Sequence, residues 1–256
     1  MNKVCLASLA LAGLAFFSAC RKQADIVDDS CMFPASLQVR FSPVVNGAPL
    51  VMDSVWYRNA AGDSFRVTEH KYYVSNFSLE TDSGEKIDFP ESYILVDGRN
   101  VQTRFVSDRL PKRTYTKVSF LLGVDSARNV SGAQTGDLEQ SKGMFWDWNT
   151  GYIMAKTEGK SPQSTLVDSS FFYHIAGFSG KTSVLRTVTL ELPTPLVVKP
   201  CSKVHTLYLQ SELNSWFTGA APFSIAEQSS VTSVGGQAAG IANNYSKGFS
   251  VVRVEQ

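Results

Sequence analysis

Through most of the chain apolar and polar residues alternate, the period of a strand with one buried face. Leu37, Val39 and Phe41 alternate with Ser36, Gln38 and Arg40. Pro43 and the Asn46-Gly47 pair then mark a turn. The same reasoning predicts strands over Lys71 to Leu79, Ser92 to Val96, Thr114 to Val124, Ser169 to Ala176, Thr182 to Leu192, Lys203 to Gln210 and Phe249 to Val254. Turn residues stand between them at Asp82-Ser83-Gly84 and Asp97-Gly98-Arg99-Asn100, and Pro193, Pro195 and Pro200 break up the connection after Leu192. Glu212 to Phe217 reads as a short helix, Asp137 as the cap of a single helical turn, and Gly235 to Gly240 as small and flexible. Short strands at fairly even spacing predict one all-β domain, an antiparallel β-sandwich or Greek-key barrel-like fold with one or two short helices.

One stretch interrupts this regularity. Gly143 to Gly159 holds two of the four Trp, Trp146 and Trp148, one residue apart, with Met144 and Met154 flanking them. In extended chain the two indoles share a face, as do Tyr152, Met154, Lys156 and Glu158. A hairpin turning at Asn149-Thr150-Gly151 could use these aromatics simply as core. Spacing alone favours that core role; the alternative presents Trp146, Trp148 and Tyr152 as a platform for a glycan or peptide.

The ends change the picture. Met1-Asn2-Lys3 and the apolar run Leu6 to Phe17 read as a signal segment over residues 1–19, too short to span a membrane. It ends in Phe17-Ser18-Ala19-Cys20, similar to a lipobox, so Cys20 is expected to carry a lipid. Residues 20–34 then form a polar tether, and 35–256 form the domain. Cys31 and Cys201 remain in an oxidising compartment, where the simplest use of two thiols is a disulfide. By resemblance to bacterial sorting, Arg21 after the Cys favours the outer membrane, facing the periplasm or the cell exterior.

A net charge of +1 leaves no basic stripe for nucleic acid. Hydrolase, zinc-protease, Walker and dinucleotide motifs are absent, and no enzyme is expected. The chain has three His: His70, His174 and His205, each at or within a strand signal. A single His on an apolar face reads first as a core or edge residue.

Several segments together resemble one family. His70-Lys71-Tyr72-Tyr73-Val74-Ser75-Asn76, Phe120-Leu121-Leu122-Gly123-Val124, the run Gly143 to Tyr152 continuing to Lys156, Glu158 and Gly159, Phe172-Tyr173-His174-Ile175-Ala176-Gly177, and Ile241-Ala242-Asn243-Asn244-Tyr245 are similar to motifs of the MbnP-like proteins. The last departs from the family in having Asn243 where Asp is usual. The resemblance implies an exported all-β protein that binds copper. It also implies a diheme cytochrome c peroxidase-like partner that oxidises a Trp to kynurenine. It points to His174 as a copper ligand, with His70 or His205 as a second imidazole near the Trp pair. Copper favours imidazole and thioether donors.

Overall fold

One strand, Ser64–Thr81, joins most of the larger sheet. In the computed structural model, which describes residues 34–147, 150–199 and 204–256, this strand is β4. The expectations for the signal segment, Cys20, the tether, Cys31, Trp148, Asn149, Pro200 and Cys201 lie outside the described residues.

The strands are β1 (Ala35–Val45), β2 (Ala48–Pro49), β3 (Tyr57–Arg58), β4, β5 (Lys86–Phe89), β6 (Ile94–Asp97), β7 (Thr103–Leu110) and β8 (Thr114–Leu122). After them come β9 (Phe145–Asp147), β10 (Gly151–Lys160), β11 (Ser170–Ala176), β12 (Arg186–Val197), β13 (Val204–Glu212), β14 (Ser230–Val231) and β15 (Phe249–Glu255). The helices are α1 (Ser126–Asn129) and α2 (Gly236–Tyr245).

One sheet runs β15-β13-β1-β2, with β7 also on β1. The other runs β12-β8-β4-β10-β11-β14. In it β10 and then β8 follow one edge of β4, while β6 and β5 follow the other. The sheets meet as an all-β sandwich. Phe41 of β1 packs against Tyr72 and Phe77 of β4 and Phe120 of β8, with ring centroids 6.1, 6.3 and 5.6 Å apart. Most ladders are antiparallel, but β1 pairs β13 in parallel, as β11 does β14.

Three local expectations are corrected. Pro193 and Pro195 do not end their strand: β12 runs through them, with a shift of register between Glu191 and Leu196. It lies at an end of the sheet, where a missing N–H costs no ladder bond. Gly235 to Gly240 opens a helix, α2, which buries Ala238, Ile241, Ala242 and Tyr245 and stacks Tyr245 on Trp216 at 4.9 Å. Asp137 lies inside its helical turn and caps nothing there; its carboxylate accepts from the Leu95 N–H at 2.8 Å and from Arg104.

A β-bulge decides which residues of β4 face inward. Glu69 pairs Glu158 and Val67 pairs Gly159, so Thr68 is an extra residue in β4. Before it Phe65 and Val67 are buried, and after it His70 and Tyr72 are. The inserted residue reverses the alternation. Opposite the bulge the two backbones come so close that a Cβ on Gly159 would sit 2.1 Å from the Arg66 carbonyl oxygen. Only glycine fits there.

Candidate functional site

The register across β4, β10 and β11 sets three rows. Lys71, Lys156 and His174 form one, His70, Thr157 and Tyr173 the next, and Glu69, Glu158 and Phe172 the third. Directly paired residues share a face, and successive rows alternate. The first and third rows therefore face outward, and the middle row faces the core.

On the outer face like charges stand directly opposite each other, but opposite charges meet along the cross-strand diagonals and between residues two apart in one strand. Glu69 Oε1 lies 2.8 Å from Lys71 Nζ, and Glu69 Oε2 lies 3.0 Å from Lys156 Nζ. Glu158 Oε1 lies 3.1 Å from Lys156 Nζ and 2.8 Å from His174 Nε2. A zigzag Lys71–Glu69–Lys156–Glu158–His174 results. The hydrogen bond from His174, then Lys156, holds the Glu158 carboxyl down to about 2 against the opposing effect of burial. Burial works against the Lys156 charge, yet the two carboxylates leave its pKa raised. Exposed ion pairs are each worth about 0.2–1 kcal/mol, so the ladder's main effect is to fix positions.

At its His174 end the ladder meets Trp146. The short strand β9 folds back on β10 through Asp147–Gly151 and Phe145–Tyr152 pairs. The Asp147 carboxylate accepts from the Thr150 N–H at 2.7 Å and from its hydroxyl at 3.1 Å. Gly151 has φ +73, and the side chain of Asn129 lies against its Cα, so a Cβ would come within 2.1 Å of Asn129 Nδ2. Asn129 Oδ1 accepts the Tyr152 N–H at 2.9 Å. The hairpin is thereby tied to α1. Trp146 is half-buried, with its ring edge-on to His174 at 6.2 Å and 69°.

Tyr152 does not belong to an aromatic platform. It is 1% exposed, donates its hydroxyl to the Leu138 carbonyl at 2.7 Å and packs on Tyr73 and Phe145. Met144 and Met154 are likewise buried, and Met154 Sδ accepts the Val124 N–H.

The three imidazoles do not converge. His70, 2% exposed, faces the interior, where Nδ1 meets Thr157 Oγ1 at 2.9 Å and the ring packs against Tyr72 and Trp216. It lines a cavity of ≈10 Å³, room for about one water. Burial pushes its pKa down to about 4. His205 belongs to the other sheet, opposite Leu37, and is 1% exposed with neither ring nitrogen partnered among the described residues. Ser211, six residues further along β13, reaches Tyr72 at 2.8 Å. His205 therefore sits roughly 20 Å along its strand from that contact.

The expected pairing of His174 with His70 or His205 is thus corrected: the sheet separates the first pair by face, and strand length separates His205. Nor is His174 the core residue that a lone His in an apolar strand suggests, since it stands in an ionic ladder. Among the described residues no group of three or more His, Cys, Asp or Glu side chains comes together to hold a metal. His174 backed by Glu158 still suits copper chemically, as one imidazole with a carboxylate behind it. Glu69 and Lys71 are site residues that the sequence reading passed over. Their signal was an acid–base pair two apart in one strand, repeated as Lys156 and Glu158.

The family model described as MbnP matches residues 34–233. Among solved structures, MbnP from Methylosinus trichosporium is similar in fold, with a TM-score of 0.53 and 14% identity over 78% of this chain and 82% of that one. A search of curated proteins finds no match.

Proposed function

The chain belongs to the MbnP family, and from that premise we propose that it is an exported copper-handling protein whose working site is the outer-face group Trp146–His174–Glu158. One observation carries the reading: a half-buried indole stands edge-on to an imidazole that a carboxylate holds in place. Met144, Tyr152, Ile153 and Met154 of the motif are buried, whereas Trp146, though packed against the core on one side, and His174 are only half-buried and remain in reach of a partner.

In this reading the protein is acted upon rather than catalytic. A diheme cytochrome c peroxidase-like partner uses two peroxide equivalents to cleave the C2–C3 bond of the Trp146 indole, with two waters released, and hydrolysis of the resulting N-formyl group releases formate and leaves kynurenine. An intact indole only donates a hydrogen bond. Ring opening leaves an aromatic amine and a ketone, both with electron pairs, beside His174. That change would supply donors which the three His do not. Copper then takes His174 as its imidazole. Cys20 carries a lipid that holds the chain at the outer membrane, and Cys31 and Cys201 form a disulfide.

Protein purified from its own host tests the reading, by metal analysis and by mass mapping of tryptic peptides. Bound copper and an oxidised residue at Trp146 are expected. Copper-free protein with every Trp intact would overturn it, and oxidation confined to Trp148 would overturn the choice of Trp146.

A further inference from the structure

The hydrogen bond between His174 and Glu158 fixes more than the position of the ring. A carboxylate only accepts, so at 2.8 Å the His174 Nε2 must carry the hydrogen. A neutral imidazole has one N–H and one electron pair. From this geometry we infer that Glu158 is a positioning residue which selects the Nε2–H tautomer and leaves Nδ1 as the ring atom that binds an electrophile or takes a proton.

Glu158 is itself held. Lys156 Nζ touches the same Oε1 at 3.1 Å and also reaches Glu69 at 3.0 Å, while Lys71 grips Glu69 from the far side at 2.8 Å. All these side chains rise from the paired strands β4, β10 and β11. Strand register sets their spacing, and the ion pairs set their rotamers. The acceptor is thus in place before any ligand arrives. An outer carboxylate on a ligating His is a common way to fix its tautomer and raise its basicity. Here the arrangement is a cross-strand diagonal, with Lys156 directly opposite His174 and Glu158 one step beyond. No interior residue competes for Nε2, because the intervening row of Thr157 and Tyr173 faces the core.

The inference bears on copper through the proposed function, but the tautomer can be read without metal. Full-length protein labelled with ¹⁵N-histidine is examined in mildly alkaline buffer by imidazole ¹⁵N–¹H correlation. The wild type should show His174 with a protonated Nε2 and an unprotonated Nδ1. In Glu158→Gln, whose amide offers both donor and acceptor, that single tautomer should give way to a mixture. Copper affinity measured on the same samples should fall about 10–100-fold in Glu158→Gln. An Nδ1–H tautomer in the wild type would overturn the inference, and so would an unchanged His174 signal in a folded Glu158→Gln. If the wild type shows the Nε2–H tautomer yet takes up no copper, this inference stands and the copper reading falls.

Discussion

His70 and His174 lie on opposite faces of one sheet: His70 is paired with Thr157 toward the core, and His174 with Lys156 toward solvent. A one-residue difference in register parity therefore makes one of these two imidazoles structural and leaves the other available. The bulge at Thr68 is what turns His70 inward.

His70 should behave as a core residue. His70→Ala removes the Thr157 hydrogen bond and the packing on Tyr72 and Trp216. The expected loss is about 2–4 kcal/mol, read from the denaturant midpoint. A loss below the error of the measurement would show that the interior placement is wrong.

Acid should weaken the fold in a defined window. His70 has a folded value of about 4 against an ordinary 6.5, so its contribution is complete above the unfolded value. It declines as pH falls from about 6.5 to about 4, because the unfolded chain takes up the proton first. Burial lowers the His205 value as well, in the same direction. Glu158, held at about 2 against 4.5, adds a second decline that begins below about 4.5. Stability curves of His70→Gln should be flatter than wild type between about 6.5 and about 4. Identical slopes would contradict this assignment.

Gly159→Ala should be among the most damaging small changes. Its Cβ would meet the Arg66 carbonyl oxygen and the Phe171 ring at the bulge. Backbone cannot yield as a side-chain tip can, so a loss of more than about 2 kcal/mol is expected. Thermal unfolding of the purified variant measures it, and a wild-type midpoint would refute the close approach.

The alternation of Leu37, Val39 and Phe41, and that of the β8 and β11 segments, was legible because one face of each strand is buried. The helix α2 was not, since Gly236 and Gly240 mask its propensity. Its buried positions 238, 241, 242 and 245 nonetheless follow the helical period. Two features hid the site. The Thr68 bulge is set by backbone approach to Gly159, which no local pattern announces. The zigzag of charges needs the register of β10 against β4, a strand far from it in sequence. His174 and Trp146 were legible through motif resemblance, and what the structure adds is their contact and the carboxylate behind it.

The disulfide proposed for Cys31 and Cys201 rests on the parity of the cysteines left after export. Closing so long a loop stabilises by about 3–5 kcal/mol in the chain-entropy model. Non-reduced protein should resist thiol alkylation at both Cys, whereas quantitative labelling of both would exclude the bond.

In the proposed function the outer-face His174, and neither interior His, is the copper imidazole. Copper titration of host-purified wild type, His174→Ala and His70→Gln, with folding checked for each, tests it most directly. His174→Ala should weaken binding at least about tenfold, while folded His70→Gln should keep wild-type affinity. Unchanged affinity in His174→Ala, or an equal loss in His70→Gln, would contradict it.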